Sequence, residues 1–314
     1  MSSLKRSFIS FCAVLCFAVP AFAQIVVPRV SPKASVMQRI GVTDVTITYS
    51  RPGVKGRKIW GDPLPEQAAK VKGEATLDNQ NERPKDAVIV PYGHVWRAGA
   101  DDATKFVVSD DVLINGQKLA AGSYSLHTIP TRDEWTIVFN GEANQWGSFN
   151  YDPAKDTLRV KVKPQTVAEN QEWLAYVFEP VGEDSAQVNI RWEKISVPFT
   201  IKVPDVTTST VARIKRDVAN AKPDDWVTLM QAGNFFINNK DASDDAQGMA
   251  WLDQSIKVKE TFRNLSAKAN ALYKLGKKDE AFAVAEQAIQ RGKADKVDTT
   301  AFEKRLADMK AGKI

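Results

Sequence analysis

Two stretches of the chain concentrate residue types that could hold an anion. Residues 49–61 place the cations Arg51, Lys55, Arg57 and Lys58 among Gly53, Gly56, Gly61, Pro52 and the rings of Tyr49 and Trp60. Residues 90–102 repeat the mixture with Tyr92, Gly93, His94, Trp96, Arg97 and Gly99, ending in Asp101-Asp102. A guanidinium can fork onto a carboxylate, phosphate or sulfate while a neighbouring ring packs against the ligand body. Glycines let backbone N–H groups approach the same anion. The chemistry expected is binding of an anionic small molecule or glycan, with Arg51, Arg57, Lys58 and Arg97 on the charge and Trp60, Tyr92 and Trp96 on the body. The competing reading makes these stretches solvated basic turns, with Trp60 and Trp96 as core plugs.

Catalytic templates find less support. There is no Gly-x-Ser-x-Gly elbow, no Walker or dinucleotide glycine motif and no His-Glu-x-x-His. His94, beside Trp96 and Arg97, is a better candidate base than His127, which sits in the strand-like run Tyr124-Ser125-Leu126-His127. Carboxylates at Asp101, Asp102, Glu134 and Asp152 supply the alternative, an envelope hydrolase cutting glycan or peptide through acids near Asp101 and Asp102. Asn239 to Asp245 looks like a calcium loop but lacks its glycine at the sixth place and its glutamate at the twelfth, so it reads as a turn between helices. No metal site and no cofactor are expected. Enzymatic activity is left open, with binding favoured.

The elements that must position these residues follow from the rest of the pattern. At 314 residues the chain has room for about two domains. Lys5 and Arg6, an apolar run to Val19 and Ala21-Phe22-Ala23 form a secretory signal with cleavage expected after Ala23. Both cysteines, Cys12 and Cys16, lie inside it, so the mature chain would be exported, periplasmic or secreted, without disulfides. A formal charge of +5 over this length does not suggest nucleic-acid binding, and no later run is long enough to span a membrane.

From residue 35 to 203 the apolar pattern has period two, as in Val45-Ile47-Tyr49, Val188-Ile190-Trp192 and Val197-Phe199-Ile201-Val203. That alternation, with Asn115-Gly116 as a hairpin turn, predicts an antiparallel β-sandwich or barrel. Residues 62–88 interrupt it as a polar insert. A linker is expected at 204–209, and 210–314 turn helical. Pro223-Asp224-Asp225 opens one helix, Gly276 ends another, and Thr300 with Glu303 caps the last.

Leu265 to Gln290, with Ala269, Gly276, Ala281 and Ala288, resembles a tetratricopeptide repeat. Gly248 and Ser255 precede Ala281 and Ala288 by the same interval, close to the ~34-residue period. The fold class expected is thus a mainly-β antiparallel domain followed by an all-α, tetratricopeptide-like helical hairpin domain that could contact a protein partner.

The β region itself resembles a bacterial family of unknown function, DUF2911. The resemblance runs through Ser50-Arg51-Pro52, Lys55 to Gly61, Val90-Pro91-Tyr92-Gly93, Val95 to Ala100, Ala121 to Leu126, Glu134-Trp135, Trp146-Gly147 and Tyr151-Asp152. It implies an exported β-rich domain, often followed by helical repeats, and no defined activity. Two departures stand out: the polar insert between Trp60-Gly61 and Val90-Pro91, and Asp101-Asp102 where the family tends to carry Asn-Glu.

Overall fold

A computed structural model describes residues 27–77, 83–242 and 244–314; the signal-like segment 1–23 lies outside them. Twelve strands are named among the described residues. They are β1 (Lys33–Ile40), β2 (Thr43–Ser50), β3 (Trp60–Gly61), β4 (Val90–Pro91), β5 (Thr104–Val108), β6 (Val112–Ile114), β7 (Gln117–Leu119), β8 (Gly122–Pro130), β9 (Trp135–Asn140), β10 (Asp156–Val162), β11 (Gln165–Gly182) and β12 (Ser185–Lys202). Six form one antiparallel sheet in the order β1-β2-β5-β8-β9-β10, and four form a second, β11-β12-β6-β7. A short parallel ladder joins β3 to β4.

The period-two residues supply the core. Val45, Ile47, Phe106, Leu126 and Phe139 of the first sheet share one buried cluster with Leu174, Val188, Phe199 and Ile201 of the second. Rings cross between the sheets: Phe139 meets Phe199 at 6.2 Å, and Tyr49 meets Tyr176 at 4.6 Å. Each such side chain contributes about 1.5–3 kcal/mol on burial. Asn115 and Gly116 turn β6 into β7 with φ of 45° and 83°, the left-handed pair a two-residue hairpin needs. Asn115 Oδ1 also accepts from the Thr200 N–H at 2.7 Å, pinning that hairpin to β12.

Helices follow: a short α1 (Pro65–Ala68) within the polar insert, then α2 (Val206–Ala219), α3 (Trp226–Asn238), α4 (Asp245–Val258), α5 (Phe262–Lys274), α6 (Lys278–Ala294) and α7 (Thr300–Lys310). Asp205, Asp225 and Asp244 each cap a helix by accepting a backbone N–H three residues on. Such a cap is worth roughly 1 kcal/mol. Because Asp205 caps, α2 begins at Val206, inside the stretch read as a linker. At α7 the cap position is Thr299 rather than Thr300, and the Thr299 hydroxyl donates to Glu303 at 2.8 Å. Arg213 of α2 donates to the Val42 carbonyl, and Val206 packs on the β core, so α2 is fastened to the sheets. Among the described residues no helix is long and apolar enough to cross a membrane.

Helices α3 and α4 cross at glycines. A Cβ on Gly233 would stand 2.6 Å from the Gly248 carbonyl oxygen and 2.8 Å from Leu252 Cγ. The next pair, α5 and α6, uses Ala269, Ala285 and Ala288, all fully buried. Gly233→Ala should therefore force the helices apart and cost about 1–3 kcal/mol by overpacking. Urea unfolding followed by helical circular dichroism checks this; an unchanged midpoint would show that the crossing is not tight.

Candidate ligand cleft

Segment 95–101 is fixed before it reaches any ligand. The Trp96 N–H and C=O pair with Thr128 of β8 at 2.8 and 2.9 Å. Its ring stacks on Trp192 at 5.7 Å and 16°, and meets Trp60 edge-on at 5.7 Å. Trp60 in turn contacts Trp135 at 4.9 Å. Beyond this anchor the chain enters a strained turn, with Ala98 at φ 51° and Asp101 at φ 57°. The Ala98 carbonyl holds it by accepting from Tyr176 Oη at 2.8 Å and Thr104 Oγ1 at 2.9 Å. Gly99 is required there, since a Cβ would come within 2.9 Å of Thr104 Oγ1.

Arg97 is seated by the same turn. Its Nη1 donates to the Asp101 carbonyl at 2.8 Å, and its Cζ lies 5.2 Å from the Phe149 ring centre. A Cβ on Gly147 would stand 2.9 Å from that Cζ, so the glycine lets backbone cover the guanidinium. The Gly147 N–H also donates to the Asp101 carbonyl at 3.0 Å.

The second arm comes from residues 52–57, strapped to β11. The Val54 N–H donates to the Glu172 carbonyl, and the Leu174 N–H to the Pro52 carbonyl. Lys55 and Gly56 turn the chain through left-handed φ values of 47° and 68°. Arg57 then folds back to donate to the carbonyls of Val54 and Gly53.

The two arms meet at a cleft of about 270 Å³ lined, among the described residues, by Lys55, Arg57, Arg83 and Arg97, by the carboxylate Asp101, and by apolar walls that include Trp96, Ile89 and Pro52. Of the residues expected to bind, Arg57, Trp96 and Arg97 are brought together here. Arg51 turns instead to the Leu174 carbonyl, 2.8 Å from its Nε. The Lys58 side chain runs beside Gly61, and Trp60 is engaged in the tryptophan cluster. Tyr92 lies under Arg132, 5.5 Å from its Cζ, and burial raises its phenol. Lys55 and Arg83 were not among the expected ligands. Lys55 stands in the basic stretch 49–61; Arg83 belongs to the polar insert that separates Trp60-Gly61 from Val90-Pro91.

That insert is packed against the sheet domain. The Val95 N–H donates to the Glu74 carbonyl, His94 Nδ1 bonds the Ala75 carbonyl at 2.9 Å, and Glu74 pairs with Arg159 at 2.8 Å. His94 is thereby engaged in holding the insert. The four carboxylates of the hydrolase alternative do not share one hollow: Asp152 caps a turn by accepting from the Ala154 N–H, and Glu134 pairs with Lys161. Asp102 opens to a neighbouring hollow with Lys33, Lys105 and Trp146.

Residues 31–201 match the family described as Protein of unknown function (DUF2911). The chain belongs to that family. No curated protein and no solved structure matches it. The DUF2911 segment contains both arms of the cleft, whereas α2 to α7 lie beyond it.

Behind the cleft, His127 of this DUF2911 domain is fully buried, with Nε2 3.0 Å from Ser125 Oγ and its ring 5.0 Å from Tyr151. Burial lowers its pKa to about 4; Asp156 opposes the shift and Arg97 adds to it. The folded state thus keeps the ring neutral while the unfolded state protonates near 6.5. Stability is full above pH 6.5 and falls between 6.5 and 4, by up to about 3 kcal/mol. Urea midpoints from pH 7 to 4.5 should decline in the wild type. In His127→Gln they should start lower and decline less; parallel declines would contradict this assignment.

Proposed function

We propose that this DUF2911 protein is an exported binding protein whose β-sandwich holds a small anionic ligand in the cleft between residues 52–57 and 96–101. The observation that carries the reading is the convergence of four cations and one tryptophan wall on a single hollow. The arms are held by backbone pairing, so little ordering entropy is lost on binding. A charge-assisted hydrogen bond from a guanidinium to an anionic oxygen contributes roughly 1.5–3 kcal/mol. Hydrolysis is less well supported: Glu134 and Asp152 are engaged elsewhere, and Asp101 and Asp102 both face the cation Arg29.

The helical part completes the reading as a tetratricopeptide-like module for a protein partner. Its support is a groove that Phe262, Phe302, Asn234, Asn270, Arg263 and Arg305 line on α3, α5 and α7.

The cleft is tested by calorimetric titration of the full mature chain with phosphate, sulfate, citrate, glucuronate and short carboxylic acids. At least one should bind, more weakly as salt rises. Arg57→Ala, at an exposed position, should weaken it at least about tenfold while the far-ultraviolet circular dichroism of the folded chain is retained. No binding by any of these anions, or equal binding by the variant, would overturn the assignment.

A further inference from the structure

An anion alone leaves one group of the cleft unused. Asp101 lines it beside the cations, and its Oδ2 is buried with no hydrogen-bond partner. Arg29 forms a loose ion pair there: its Nη1 stands 3.6 Å from Oδ2, beyond hydrogen-bond reach, and 3.8 Å from Asp102. Half of the Arg29 side chain is exposed, and its guanidinium also lies 5.6 Å from the Trp146 ring. The position therefore attracts a positive group that the protein supplies only loosely. A buried carboxylate oxygen without a donor is costly, and Asp101 has little freedom to relieve it. Its backbone sits at φ 57°, and its carbonyl is gripped by Arg97 Nη1 and the Gly147 N–H.

The carbonyl that seats the Arg97 guanidinium belongs to the residue whose Oδ2 lacks a hydrogen bond. Positive and negative walls are thus neighbours, and their complement is a molecule with opposite charges on adjacent atoms. We propose that the ligand is a zwitterion of the α-amino acid type. Its carboxylate faces Arg57 and Arg97, its ammonium donates to Asp101 Oδ2 in place of Arg29, and its side chain lies along Trp96, Ile89 and Pro52. This rests on the anion reading above and adds the amine. The volume of about 270 Å³ is just under the ~300–1,000 Å³ typical of drug-sized ligands, which suits one amino acid better than a peptide or oligosaccharide.

Calorimetric titration of the full mature chain with three matched pairs tests this: leucine and 4-methylpentanoate, phenylalanine and 3-phenylpropanoate, glutamate and glutarate. In at least one pair the amino acid should bind about tenfold or more tighter than its deaminated partner. Asp101→Asn, nearly isosteric and tolerant of the same backbone conformation, should bind both members of that pair equally. Deaminated acids that bind as tightly as the amino acids would overturn the zwitterion while leaving the anion cleft standing. So would a preference that survives Asp101→Asn. Silence of all three pairs overturns it too, and the inorganic and polyacid titrations above then decide the anion cleft separately.

Discussion

The structure around the cleft depends on the burial of Trp96. Its ring is stacked on Trp192 and flanked by Trp60, and its peptide group is paired both ways with Thr128. A ring of that size, removed from water against two others, fixes the chain at one point between the sheets. The next residues cannot drift. Arg97 must lie where Gly147 leaves room for it, and the strained turn at 98–101 must close onto Thr104 and Tyr176. A recognition surface on this segment is therefore as rigid as the core behind it.

A second constraint concerns charge. Arg51, Arg57 and Arg97 donate to carbonyl oxygens, of Leu174, of Gly53 and Val54, and of Asp101. Neutral acceptors satisfy guanidinium hydrogen bonds without cancelling their charge. Surface arginines elsewhere behave differently: Arg39 pairs with Asp44, and Arg159 with Asp156 and Glu74. A guanidinium on a carbonyl oxygen keeps its charge, whereas one paired with a carboxylate serves mainly as a seam between elements.

Much of this architecture was legible in the chain, for reasons that differ by residue. Val45, Ile47, Val188 and Phe199 announced their burial because a strand alternates its faces, and Asn115-Gly116 announced its turn because few other pairs accept two positive φ values. The meeting of the two basic segments was legible as composition only. Which side chains turn inward within a glycine-rich loop is decided by long-range pairing, as with residues 52–55 on β11. That is why Arg57 and Arg97 share the cleft while Arg51, Lys58 and Tyr92 serve other contacts. The start of α2 was hidden because Val206-Thr207-Thr208 reads as extended until Asp205 is seen to cap it, and Thr299-Thr300 offered two equivalent hydroxyls. Arg83 was illegible, since a charged residue in a polar stretch gives no direction.

The most direct measurement of the central claim is anomalous diffraction from crystals of residues 24–314 grown with selenate, an anion locatable by its own scattering. The account predicts a selenium peak inside the cleft, with oxygens within hydrogen-bond reach of Arg57 and Arg97. Peaks confined to surface lysines and arginines outside the hollow, with the cleft holding only water, would contradict it.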